Sequence, residues 1–125
     1  MRNIKDKVYE ALKEVFDKEE VTDQYPKGWA SFPTVQYTEE ENKVHERTDK
    51  EEKAYVRYRI DVWHNVSTSI SALKADEAVG PEGLGLIRTT CQDVPDQSGL
   101  KHKLMRYEGI IDMGSEDVFW PNTGI

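Results

Sequence analysis

Apolar residues recur along this chain with two periods. Ile4, Val8, Leu12, Val15 and Phe16, with Ala11 beside them, fall three and four residues apart, which predicts a helix with one buried stripe. Asn3 is placed to cap it and Asp6 to sit near its positive end, while Lys7, Glu10, Lys13 and Glu14 form a solvated opposite face. The helix should fade by Glu19 or Glu20, and residues 22–32, punctuated by Pro26, Gly28 and Pro33, should form a turn-rich connection. The period then switches to two. Val35 and Tyr37 share one face of a strand over 34–39. In a stronger strand over 54–64, Val56, Tyr58, Ile60 and Val62 alternate with Arg57, Arg59 and Asp61.

Between these strands, residues 40–53 are charged at most positions and contain no Gly or Pro, which reads as a long projecting hairpin tip. A second helix over 66–79, capped by Asn65 or Ser67, would turn Ile70, Leu73 and its alanines inward and stop at Gly80-Pro81-Glu82-Gly83. Residues 86–93 and 102–112 read as a second strand pair, joined by the turn-forming stretch Val94-Pro95-Asp96-Gln97-Ser98-Gly99. Residues 113–125, with Val118-Phe119-Trp120, read as a short edge strand or a docking tail.

The expected fold is α+β in the order α-β-β-α-β-β: one domain over 1–125, with a four-stranded, mainly antiparallel sheet and two helices packed on one face. Such a sheet leaves its other face without cover. Tyr55, Arg57, Arg59, Asp61 and Trp63 line that face, and Tyr, Trp and Arg are the residues enriched at binding hot spots. Tyr55, Arg57, Arg59 and Trp63, with Phe119 and Trp120, are therefore the candidate protein interface. The plainer alternative has Trp63 and Tyr55 shielding a solvated sheet along the arginine stems. In the hairpin, Glu40, Glu41, Lys43, Glu46, Arg47 and Asp49 form a candidate loop for contacts within an assembly or for lining a channel.

Composition narrows the function classes. A chain of 125 residues suits one compact core, and 37% hydrophobic residues make that core economical. The net charge of −7 opposes a general grip on nucleic acid, which needs clustered Lys and Arg. The single cysteine, Cys91, excludes an internal disulfide framework and suits a reducing cytoplasm. No stretch approaches membrane-spanning length, so no membrane role is expected.

Candidate chemistry is sparse. His45, His64 and His102 are not at the short spacing of a metal pair, and Cys91 has no second cysteine for a zinc half-site. No nucleophile elbow, phosphate loop or dinucleotide fingerprint is present. Glu51-Glu52-Lys53 before a strand matches the acid-x-lysine arrangement of metal-dependent nucleases, which hold a divalent ion and an attacking water. In so charged a run, that triplet arises by composition alone. No catalytic residue, cofactor or metal is expected.

Four stretches carry a resemblance: Phe32-Pro33-Thr34-Val35-Gln36-Tyr37, residues 55–64, residues 89–96, and Lys103-Leu104-Met105-Arg106-Tyr107-Glu108-Gly109. In this order and spacing the chain resembles the tail terminator and tail-to-head joining proteins of long-tailed phages and prophages of Gram-positive bacteria. The resemblance implies a non-enzymatic protein that forms a ring, hexameric on assembly and monomeric when free. That ring would cap the tail tube, meet tail-tube protein and the head connector or neck protein, and let DNA pass without specific binding. It would be found in the host cytoplasm during assembly and then at the head–tail interface of the virion. A head-completion or neck protein of the same virion is the near alternative, and a small metal-dependent nuclease the alternative of a different class.

Overall fold

The computed structural model describes residues 4–29, 31–48, 52–115 and 118–120, without the side chains of Glu46 and of 118–120. Asn3 and Asp49 lie outside the described residues. The elements are α1 (Lys5–Lys13), a 3-10 turn (Lys18–Glu20), β1 (Val21–Thr22), β2 (Thr34–Arg47), β3 (Glu52–His64), α2 (Ser69–Val79), β4 (Ile87–Asp93), β5 (Lys101–Asp112) and β6 (Val118–Trp120).

The sheet corrects the expected four antiparallel strands. Five strands run in the order β1-β2-β3-β5-β4, with β6 paired to the far end of β5, and the β1–β2 pair is parallel, so the sheet is mixed. The extra strands are short: β1 contributes two residues, opposite Val35 and Gln36. The centre is the antiparallel pair of β3 and β5, in unbroken register from His64 opposite Lys101 to Lys53 opposite Asp112. The charged stretch is also corrected. β2 and β3 stay paired as far as Arg47 opposite Glu52, and β5 flanks β3 to Lys53, so the charged residues up to Arg47 and from Glu52 belong to the ladder.

One face of the sheet carries both helices. Val8 and Leu12 of α1 and Ala75, Ala78 and Val79 of α2 join Val35, Val56, Tyr58, Ile60, Val62, Met105, Tyr107 and Ile111 in a single core. The 9 residues of α1 are fewer than the stripe predicts. The backbone tightens after Lys13, with Val15 N bonded to Leu12 O, and the chain restarts as the 3-10 turn, where Asp17 N–H donates to the Glu20 carboxylate at 2.8 Å.

The second helix turns differently from the sequence expectation. Ile70 and Leu73 are 72% and 67% exposed, and the buried positions are Ser71, Ala75, Ala78 and Val79. Small residues let α2 approach the sheet closely, and its Asp76 is held there by the Tyr107 hydroxyl at 2.7 Å. The helix ends in a tight knot, with Leu84 N bonded to Ala78 O and Leu86 N to Val79 O. A side chain on Gly83 would stand 2.0 Å from Ala78 O, so this turn requires glycine.

These burials set a contrast. Ile60→Ala should cost about 2–5 kcal/mol in urea denaturation, whereas Leu73→Ala should cost under about 0.5 kcal/mol because its side chain is already in water. Equal losses at the two positions would place α2 the other way round.

Candidate functional site

The sheet face opposite the helices holds the predicted interface residues of β3, and it is divided into a closed end and an open middle. At the closed end the chain covers itself. The segment before β2 folds back so that Tyr25 and Trp29 lie with ring centroids 5.8 and 5.5 Å from Trp63, and Phe32 stacks on His64 at 5.8 Å. On its other side Trp63 stacks on His102, 4.4 Å away with planes 19° apart. Trp63 is consequently 2% exposed. Its proposed place on an open interface is corrected: it anchors an intramolecular aromatic cluster.

Beneath that cluster lies a charged chain of contacts. Asp61 is 2% exposed, and a buried carboxylate is tolerable only when paired. Arg59 grips both its oxygens, Nε at 2.8 Å and Nη2 at 3.1 Å, and His102 Nε2 lies 2.7 Å from Oδ1. The other His102 nitrogen faces Asp96 Oδ1 at 3.6 Å, and Trp63 Nε1 donates to that oxygen at 3.3 Å. Asp96 reaches this position because the β4–β5 turn is organised around it. The Ser98 hydroxyl and backbone N–H both donate to its Oδ2, and Gly99 takes a φ of 83°. The Ser98 hydroxyl, more than any other contact, holds the Asp96 carboxyl below the usual carboxylate range. An Asp–His–Asp line of this kind could relay a proton, but among the described residues the partner of His102 Nε2 is the Asp61 carboxylate and not a hydroxyl or thiol nucleophile. Its evident work is to fix the turn and the loop over the sheet.

The open middle is a carboxylate–arginine lattice. Glu40 Oε1 accepts from Arg57 Nε at 3.2 Å and Arg106 Nε at 3.0 Å, joining three strands, and Arg57 also faces Glu41 at 3.9 Å. The Tyr55 hydroxyl donates to Glu108, with Lys43 Nζ over its ring at 5.2 Å. Arg57 and Arg59 each keep about a third of the side chain in solvent. Of the predicted interface residues, Tyr55, Arg57 and Arg59 therefore remain on the accessible face. Trp63 does not, and the side chains of Phe119 and Trp120 lie outside the described residues, as does that of Glu46.

Among the described residues the nuclease constellation does not assemble. Glu52 is engaged by Arg47 Nη2 at 2.9 Å, Glu39 accepts the Tyr58 hydroxyl at 2.7 Å, and Glu51 lies outside the described residues. Among the described residues no group of three or more His, Cys, Asp or Glu could hold a metal ion, and no helix is long and apolar enough to cross a membrane.

Two surface features escaped the sequence reading. Ile70 and Leu73, three residues apart, give an apolar stripe on the solvent side of α2, and Val66, 71% exposed, lies in the bend just before the helix. Between the helices a groove of about 770 Å³ has Ala11, Val15, Ala78 and Leu84 along it and Asp6, Glu10, Glu14, Glu77 and Glu82 among its lining residues. The spacing of Ile70 and Leu73 shows in the sequence, but their size and hydrophobicity point inward, opposite to where they stand.

No protein-family model and no curated protein sequence matches the chain. Among solved structures its fold is similar to that of a chain in the virion of a native gene transfer agent particle. The TM-score is 0.54 at 17% identity, and the match covers 84% of this chain and 91% of that one. At that identity the likeness is one of fold.

The depressed Asp96 carboxyl has a pH signature. A carboxylate that binds its proton less readily when folded contributes stability above its unfolded value and loses that contribution as pH falls through the lower, folded one. Below about pH 4 the urea midpoint of the wild-type chain should therefore decline, and Asp96→Asn should decline less steeply. Parallel acid limbs in the two proteins would mean that the turn contacts do not hold the carboxylate.

Proposed function

We propose that this protein is a structural component of a phage-like virion and, within it, the tail terminator: a ring that caps the tail tube and joins tail to head. The observation that carries the reading is the fold likeness to a virion chain along nearly the full length of both chains. The surface chemistry supports a structural role. Among the described residues, Glu39, Glu40 and Glu52, which could have served a nuclease, are engaged by arginines or a tyrosine. The apolar stripe of α2 is the kind of exposed patch that a protein–protein contact covers. Its neighbours in the assembly would be copies of itself, tail-tube protein and the head connector. An acidic chain of net charge −7 would line or flank a DNA passage without binding DNA.

Deleting the gene from an inducible particle and imaging the lysate tests this. Overlong or unjoined tails beside DNA-filled heads are expected, with rescue by the wild-type gene but not by Ile70→Asp/Leu73→Asp. Because both side chains already face solvent, that variant should fold, as its circular dichroism and urea midpoint would verify. Finished tails beside heads that leak DNA would point to head completion instead, and normal infectious particles would sink the virion role.

A further inference from the structure

Asp6, Glu10 and Glu14 follow one another at intervals of four, so three carboxylates share one side of α1. Across the groove between the helices stand Glu77 of α2 and Glu82 of the turn that closes it. All five are exposed, and among the described residues Lys7 is the one cation lining the groove. Like charges four apart destabilise a helix, and two of these are also set against a helix dipole. Asp6 suits the positive end of α1, but Glu14 caps its negative end, and Glu77 lies in the last turn of α2, which holds no basic residue. Little within the chain relieves that repulsion. Glu10 meets Lys13 at 3.7 Å, whereas Asp6, Glu14, Glu77 and Glu82 make no ion pair among the described residues.

Between the two acidic rims the groove is apolar. Ala11, Val15 and Leu84 are half-buried there and Ala78 is buried. The carboxylates are strung along the rims: among the described residues no group of three could hold a metal ion, so their complement is an extended cationic surface. No strand lines the groove, so an extended peptide has no edge to join there. Small residues such as Ala11 and Ala78 let another backbone approach, and the fitting mode is an amphipathic helix laid between two helices. Neither described helix offers a basic apolar face to a second copy. α1 has Val8 and Leu12 committed to the core, and Lys74 is the only cation within α2. Residues 116–125 contain no Lys or Arg.

We propose that this groove binds a basic amphipathic helix of a different protein, its apolar side chains on Ala11, Val15, Ala78 and Leu84 and its lysines or arginines against the two rims. The groove carries this without the terminator reading, which adds only that the partner belongs to the same particle.

Three capped, alanine-based helical peptides, followed through the backbone amide resonances of the full-length protein, test it. The first has leucines along one face flanked by lysines, the second has glutamates for the lysines, and the third keeps the lysines but has serines for the leucines. The first should bind saturably with a Kd below about 1 mM and shift Ala11, Val15, Ala78 and Leu84. The second should not bind, and the third should bind at least about tenfold more weakly. Glu77→Lys/Glu82→Lys should weaken the first peptide about tenfold. Glu19→Lys/Asp93→Lys changes the net charge equally at exposed positions outside the groove and should leave its affinity within about twofold. Circular dichroism and urea midpoints verify that both variants fold. Equal losses in the two variants would show attraction to the overall charge of −7 alone and overturn the proposal. So would shifts centred elsewhere, a glutamate peptide that binds as tightly, or no binding of the first peptide. Self-association of the peptide-free protein that shifts the same four resonances would put a second copy in the groove and overturn it as well. Groove binding together with normal particles on gene deletion would keep the groove and discard the terminator.

Discussion

The fold turns on a pair of buried phenols. Tyr58 of β3 and Tyr107 of β5 are opposite each other in the central ladder, and both are fully buried. Each ring fills the core, and each hydroxyl must then find an acceptor, since an unpaired buried donor costs about 1–3 kcal/mol. Tyr58 finds Glu39 on β2, and Tyr107 finds Asp76 on α2, each at 2.7 Å. Arg88 of β4 adds its charge to Asp76 at 3.3 Å. One cross-strand pair thus ties four strands and a helix together. Burial, and after it these carboxylates, push both phenols far above their ordinary pKa, so they stay neutral donors. A slip of one residue in the β3–β5 register would turn the ring on the slipped strand to the opposite face and part the two, so the pair fixes register as well as packing.

The face opposite the helices solves a different problem. With no helix over it, the sheet uses a folded-back aromatic loop at one end and an ionic lattice across its middle. Asp61 belongs to both regions: Arg59 reaches it from the lattice and His102 from beneath the aromatic cluster. This arrangement explains why the richest cluster of titratable groups is structural. Its charges compensate one another within the sheet, which leaves little uncompensated charge with which to bind a ligand or move a proton.

Much of the core was legible in the sequence because the alternation in β3 and the stripe of α1 are dictated by burial alone. Val8, Leu12, Tyr58, Ile60, Val62, Met105 and Tyr107 are all buried. What escaped depends on partners distant in the chain. In α2, Ile70 and Leu73 are larger and more apolar than Ser71, Ala75 and Ala78, so a hydrophobicity rule turns the helix the wrong way. Close approach to the sheet, anchored through Asp76, selects the small residues instead. The charged continuation of β2 is held by backbone pairing and by arginines on two other strands, invisible to a pattern that weighs only apolar side chains. The site was less legible than the core for the same reason: Tyr55, Arg57 and Arg59 stand on the face assigned to them, but the burial of Trp63 depends on Tyr25 and Trp29, which sat in a stretch read as a connection.

Satisfying so many polar groups internally determines where the chain can still meet another protein. The helix-side core is closed, and the lattice face has already spent its arginines on Glu40 and Asp61. Among the described residues, what is left besides the groove between the helices is apolar area on the outside of α2 and backbone hydrogen-bonding capacity along two strand edges. These offer different kinds of contact. The stripe is undirected and accommodates any complementary apolar surface, whereas an edge imposes direction, register and a fixed relation between successive copies. The residues on the edges and on the outside of α2 could each change without disturbing the phenol pair that holds the fold.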